Sequence, residues 1–218
     1  MQIIFSLDQI LSIIAAIIFW ICSFLFSIKA KIVEDKSNKK FFIGVSIFFL
    51  FWGIMRIFFL IAYMYLNIDL IIYSLWWKIA SISGIISILA ILLVMETYLV
   101  KSRYIFSIIT IIGLILVIIL PIYGTEISYA RLASYIFFPA GGFSIVILYL
   151  YLFFKVPGKD KRTIGLIALG IIMIFTGYTL SVELVKKFFE REFMDIISTI
   201  IMIIGGLLYT LVYYLKKD

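Results

Sequence analysis

The sequence predicts an all-α integral membrane protein, a seven-transmembrane-helix bundle, and three observations predict it. The 218-residue chain is 65% hydrophobic and 14% charged, with a mean hydropathy of +1.23, whereas soluble domains run at about 45–50% apolar and 25% charged. Its apolar residues gather into seven runs of membrane-spanning length, joined by links too short to fold independently. Basic residues crowd alternate links, as expected where Lys and Arg resist translocation. Strand-like alternation is absent, so helices, which satisfy their own backbone hydrogen bonds, are the structures that fit hydrocarbon.

The chain reads as a single domain over residues 1–218. The first run, residues 7–28, has Asp8 at its start and neither a basic leader nor a small-residue cleavage site, so it reads as a retained span. The second, residues 41–66, follows a lysine-rich link and contains Arg56. The third, residues 76–99, holds Ser83 and Ser87 one helical turn apart, and the fourth covers residues 104–123. The fifth, residues 128–154, is interrupted by Pro139-Ala140-Gly141-Gly142. The sixth, residues 163–185, places Thr176, Thr179 and Glu183 at i, i+3 and i+7, and the seventh, residues 195–215, contains Gly205 and Gly206.

Orientation follows from the charge asymmetry. Thirteen basic residues fall on the links after spans one, three and five and at the C-terminus, against five on the other side, with Arg56 inside a span as the nineteenth. This predicts an outside N-terminus and a cytoplasmic C-terminus. Tyr63, Tyr65, Tyr73, Trp76 and Trp77 then read as aromatic-belt anchors at the outer interface. An internal duplication is also suggested. Lys39-Lys40-Phe41-Phe42-Ile43-Gly44 precedes span two and Lys161-Arg162-Thr163-Ile164-Gly165 precedes span six, giving a 3+1+3 plan.

The residue inventory excludes most catalytic chemistry. With no histidine, imidazole metal sites and Ser-His-Asp triads are ruled out, and the single cysteine, Cys22, cannot form a redox pair or thiolate cluster within the chain. The expectation is a non-enzymatic protein without cofactor or metal. The net charge of +7 resides on short links rather than on one broad face, which argues against nucleic acid as a partner. The lipid bilayer is the expected surrounding, and an Ile- and Lys-rich composition suits a prokaryotic plasma membrane.

Arg56 is the sharpest residue. It lies about ten residues, or ~15 Å, below the outer end of its span, where a guanidinium costs at least ~2.5 kcal/mol and must face protein, ligand or water. Trp52 and Tyr63 lie near it at helical spacing. Ser87, Pro139 through Gly142, Thr176, Gly205 and Gly206 fall at a similar depth. Two readings follow: close helix packing through small residues, or a midplane pocket with Arg56 on its wall, lined by Trp52, Tyr63, Ser87, Thr176, Thr179 and Glu183. In the second, Pro139, Gly141, Gly142, Gly205 and Gly206 supply hinges and packing. Glu183 is the carboxylate expected to face Arg56, although it sits roughly 10 Å nearer the surface.

At the cytoplasmic end of span three stand Glu96-Thr97-Tyr98, then Lys101 and Arg103. The tripeptide resembles the acidic-Arg-Tyr signature of G-protein-coupled receptors, with Thr97 in place of the arginine, and implies a cytoplasmic switch at Glu96, Lys101 and Arg103. Ion pairing of Glu96 with Lys101 or Arg103, or with a basic residue of the Lys155 to Arg162 link, is the alternative. The seven-helix plan resembles microbial opsins, but span seven has no internal lysine for a retinal Schiff base. It also resembles sensor modules fused to histidine kinases, and, through its 3+1+3 pattern, transporters of the SWEET and PQ-loop type. The leading expectation is a sensor or receptor-like module that binds a small or lipidic ligand near Arg56 and reports to a cytoplasmic signalling partner. A facilitated small-solute carrier is the alternative, and a structural subunit bound to other membrane proteins is the third.

Overall fold

The computed structural model describes residues 6–100, 102–122, 128–182 and 191–215. Every regular element among them is helical: α1 (Leu7–Ile32), α2 (Lys36–Tyr65), α3 (Leu70–Met95), α4 (Ile105–Ile119), α5 (Tyr129–Lys155), α6 (Lys159–Leu180) and α7 (Arg191–Leu215). One π-helical turn, Glu96–Val100, extends α3. Six of the helices are long and apolar enough to cross a membrane. The exception is α4, whose 15 residues reach about 22 Å against a hydrocarbon core of about 30 Å. The fourth run was expected to be helical to residue 123, but Leu120 is extended before Pro121, a position where proline disfavours helical backbone.

Several helices begin before their apolar runs because polar residues cap them. The Asp35 side chain accepts from the Asn38 amide at 2.8 Å, so α2 starts at Lys36. Asp69 accepts from the Ile71 and Ile72 amides at 2.8 and 3.1 Å, so α3 starts at Leu70. These caps satisfy orphan donors of the first turn. At the other end of a helix, Lys78 donates to the Ile118 and Leu120 carbonyls at 2.8 and 3.0 Å, closing the C-terminus of α4.

Helices adjacent in sequence are adjacent in space, and α7 returns to α1, so the bundle closes into a ring with α3 also against α5. Its interior is aromatic: Phe19, Phe26, Phe48, Phe49, Trp52, Phe138 and Tyr209 are all at most 1% exposed. Its exterior is aliphatic, with Ile108, Ile112, Ile115, Leu132 and Ile136 among the exposed large side chains. An apolar outside around a helical, aromatic inside fits a lipid bilayer as solvent.

Small residues set how closely helices approach. A Cβ on Gly205 would lie 2.6 Å from the Gly170 carbonyl oxygen, and one on Gly177 would lie 2.5 Å from that of Ser198, so α6 and α7 touch backbone to backbone. Between α1 and α2, Ser23 and Ser46 exchange hydroxyl-to-carbonyl bonds of 2.8 and 2.9 Å. Both belong to packing rather than to a pocket.

Candidate functional site

Arg56 is buried on α2, facing the bundle interior. Its Nη2 donates to Ser12 Oγ of α1 at 2.8 Å and to Thr199 Oγ1 of α7 at 2.9 Å. Its Nε has no hydrogen-bond partner among the described residues. Among the groups close enough to act on it electrostatically, Asp195 is the carboxylate that stabilises the cation. One guanidinium thus holds three helices in register, which offsets part of the cost of burying it.

Above Arg56 opens a cavity of about 450 Å³. Helical periodicity explains its lining. On α2, Arg56, Phe59, Leu60 and Tyr63 recur at i, i+3, i+4 and i+7; Tyr178 comes from the last turn of α6, and Ser181 and Val182 follow its end. On α1, Asp8 stands one turn from Ser12; on α7, Asp195 stands one turn from Thr199. Both carboxylates border the cavity, as do Trp77 of α3 and Tyr135 of α5. The mouth lies at the end of the bundle that contains the N-terminus of α1, where Ser6, Leu66 and Asn67 line it. Below Arg56, Trp52 seals the floor, with its ring 5.3 Å from Phe175, 5.7 Å from Phe138 and 5.9 Å from Tyr178, while Phe138 and Tyr178 stack at 4.0 Å.

A second arginine stands behind the wall. Arg131 of α5 is 1% exposed, and its guanidinium carbon lies 5.0 Å from the Tyr73 ring and 4.9 Å from the Trp77 ring. Desolvated cation–π contacts of this kind contribute about 2 kcal/mol, so Arg131 fixes Trp77 where it borders the cavity. The sequence places Arg131 among the outer-side basic residues and Tyr73 and Trp77 in the aromatic belt. In the structure all three side chains are buried against one another, so at these positions the end-of-helix residues turn into the bundle.

Of the expected ligand residues, Arg56 and Tyr63 border the cavity. Trp52 lies beneath it as part of the aromatic floor. Ser87 is elsewhere: its hydroxyl donates to the Phe48 carbonyl at 2.8 Å and ties α3 to α2. Thr176 and Thr179 are exposed, and Thr179 returns its hydroxyl to the Phe175 carbonyl at 2.9 Å. The reason is rotational. Gly170 and Gly177 seat α6 against α7, which turns Tyr178 inward and the two threonines outward. Glu183 and Lys101 lie outside the described residues.

The expected hinge residues serve packing. Helix α5 runs through Pro139, which is exposed on its outer side. Gly141 faces Ile88 of α3 and Thr110 of α4, Gly142 faces the Phe175 ring, and Gly206 faces Phe19. The expected switch at Glu96 is also built differently. Its buried carboxylate accepts from Ser102 Oγ at 2.5 Å, the Phe106 amide at 3.1 Å, the Ser107 amide at 2.9 Å and the Ser107 hydroxyl. It caps α4 rather than pairing with Arg103, which is exposed.

Sequence reasoning missed Asp8, Ser12, Asp195 and Thr199. The signal present was an acid and a hydroxyl four residues apart on two separate helices, Asp8/Ser12 and Asp195/Thr199. No protein-family model, curated protein or solved structure matches this chain.

Proposed function

We propose that the chain is a non-enzymatic seven-helix plasma-membrane protein, its N-terminus and cavity mouth facing outward, that binds a small polar ligand above Arg56 and acts as a sensor or receptor-like module. The observation that carries the reading is the cavity of about 450 Å³ with a buried guanidinium in its wall. Ligand pockets commonly span about 300–1,000 Å³ and combine apolar walls with a few convergent polar groups. Thirteen basic residues on the opposite side, against five on this one, support the orientation.

A second reading, a small-solute carrier, has one observation in its favour. A second cavity of about 530 Å³, bordered by Lys29, Asn38, Phe42 and Tyr213, lies at the opposite end of the bundle. The aromatic floor stands between the two. The 3+1+3 duplication belongs to this reading.

One experiment separates them. With the protein in nanodiscs, a library of small polar solutes is screened by thermal unfolding, and each hit is tested for flux in proteoliposomes. A ligand at 100 times its Kd adds about 2.7 kcal/mol of stability. The sensor reading expects this gain with no net flux, and its loss in Arg56→Ala. That variant is itself expected to be about 2–3 kcal/mol less stable, because Asp195 loses a counter-charge and two hydroxyls lose a donor. Flux that depends on Arg56 establishes the carrier instead.

A further inference from the structure

The charges around the cavity are arranged by sign, and that arrangement selects a ligand. Arg56 stands at the inner end, gripped by Ser12 and Thr199. One helical turn outward from each of those hydroxyls, about 6 Å along the helix axis, the same helix presents a carboxylate: Asp8 on α1 and Asp195 on α7. A positive floor therefore lies beneath a pair of negative groups, on two helices that meet the same guanidinium.

Acidic residues near helix N-termini have a common structural use, since they complement the helix dipole. Asp8, in the first turn of α1, serves that purpose. Asp195 is the fifth residue of α7, past the first turn where the dipole effect is felt. Beside Arg56 it supplies a counter-charge, and it borders the cavity as well, where a bound cation would meet it.

A ligand with only an anionic group reaches Arg56 past two carboxylates. One with only a cationic group meets the carboxylates but sets a like charge above Arg56. A molecule bearing both, with its acidic end inward, matches each in turn. Aromatic residues among the rest of the lining, Phe59, Tyr63, Trp77, Tyr135 and Tyr178, offer contact to an ammonium group or to an apolar body. Building on the ligand-binding function proposed above, we infer that the cavity recognises a small zwitterion, its carboxylate or equivalent oxyanion at Arg56 and its ammonium between Asp8 and Asp195.

The test uses the full chain in nanodiscs and two matched sets of probes, titrated by calorimetry. One set is L-phenylalanine, phenethylamine and 3-phenylpropionate; the other is L-leucine, 3-methylbutylamine and 4-methylpentanoate. In at least one set the zwitterion is expected to bind about tenfold tighter than either single-charge analogue, the size of one charge-assisted hydrogen bond. Asp195→Asn and Asp8→Asn, both near helix ends and isosteric, are each expected to remove that advantage over the carboxylate analogue while leaving the carboxylate analogue's own affinity equal or better.

An amine or a carboxylate that binds as tightly as its zwitterion overturns the inference. So does a zwitterion advantage that both Asn variants retain. If a single-charge analogue binds best and Arg56→Ala abolishes it, the zwitterion inference falls and recognition at Arg56 stands. If none of the six probes binds, the zwitterion inference falls, and the solute library decides whether recognition at Arg56 stands.

Discussion

Glu96→Ala is expected to lower the stability of the folded protein by about 3–5 kcal/mol, among the largest single-residue effects in the chain. The carboxylate is 2% exposed and accepts from two backbone amides and two hydroxyls where α4 begins. Removing it strands buried donors at about 1–3 kcal/mol each, and the amides of Phe106 and Ser107 cannot turn elsewhere. The preceding residues, Arg103 and Tyr104, have φ values of 55° and 61°, the left-handed region that side chains other than glycine seldom occupy. The carboxylate holds that turn by tying its two ends, Glu96 and Ser107, together. Glu96→Gln keeps one carbonyl oxygen as acceptor and is expected to lose about half as much. Thermal unfolding in detergent followed by tryptophan fluorescence measures both, and an alanine variant within about 1 kcal/mol of wild type contradicts this account of α4.

Gly205→Val is expected to be nearly as damaging, at about 3 kcal/mol, and to weaken ligand binding as well. Its Cβ would come within 2.6 Å of the Gly170 carbonyl oxygen and 2.9 Å of the Ile174 nitrogen. Both are backbone atoms, so only separation of α6 from α7 relieves the overlap, and overpacking of this kind costs about 1–3 kcal/mol or more. Thr199 and Asp195 ride on α7 and would move with it, away from Arg56. Gly206→Ala provides the contrast. Its Cβ would meet the Phe19 ring at 2.8 Å, a side chain rather than backbone, and the loss is expected to be smaller, at about 1–2 kcal/mol. Equal losses in the two variants, read by the same unfolding assay, would show that the α6–α7 backbone contact is not what limits this position.

What the sequence made legible was which segments are helical and apolar, and that Arg56 requires polar company inside the bundle. Hydropathy reports how apolar a segment is, not how it is rotated about its axis. Helices α2 and α3 are apolar on nearly every side, so Ser87 and Trp52 could not be assigned to cavity or packing from their depth alone. Depth and helical spacing put Thr176 and Thr179 on one face of their helix, but spacing does not say which way that face turns. Each threonine can bond to a carbonyl of its own helix, as Thr179 does, and glycine contacts with α7 decide the rotation. Arg131 counts with the outer-side basic residues because it lies near the start of its span, and that position does not say that its side chain turns into the bundle. The partners of Arg56 were sought on α6, whereas they come from α1 and α7, the two helices that close the ring. That closure is a tertiary fact. The acid–hydroxyl pairs gain meaning only once the first and last helices are known to touch.

The central claim is that a polar cavity leads from the outer face of the bundle down to Arg56. Cysteine accessibility tests it most directly. Leu60 borders the cavity one helical turn above Arg56, whereas Thr176 faces outward from α6 toward lipid; the native Cys22 is buried and contributes little background. In intact cells, a small charged, membrane-impermeant thiol reagent is expected to modify Leu60→Cys and to leave Thr176→Cys unmodified. Protection of Leu60→Cys in protein that folds normally, or modification of Thr176→Cys at an equal rate, would contradict the account.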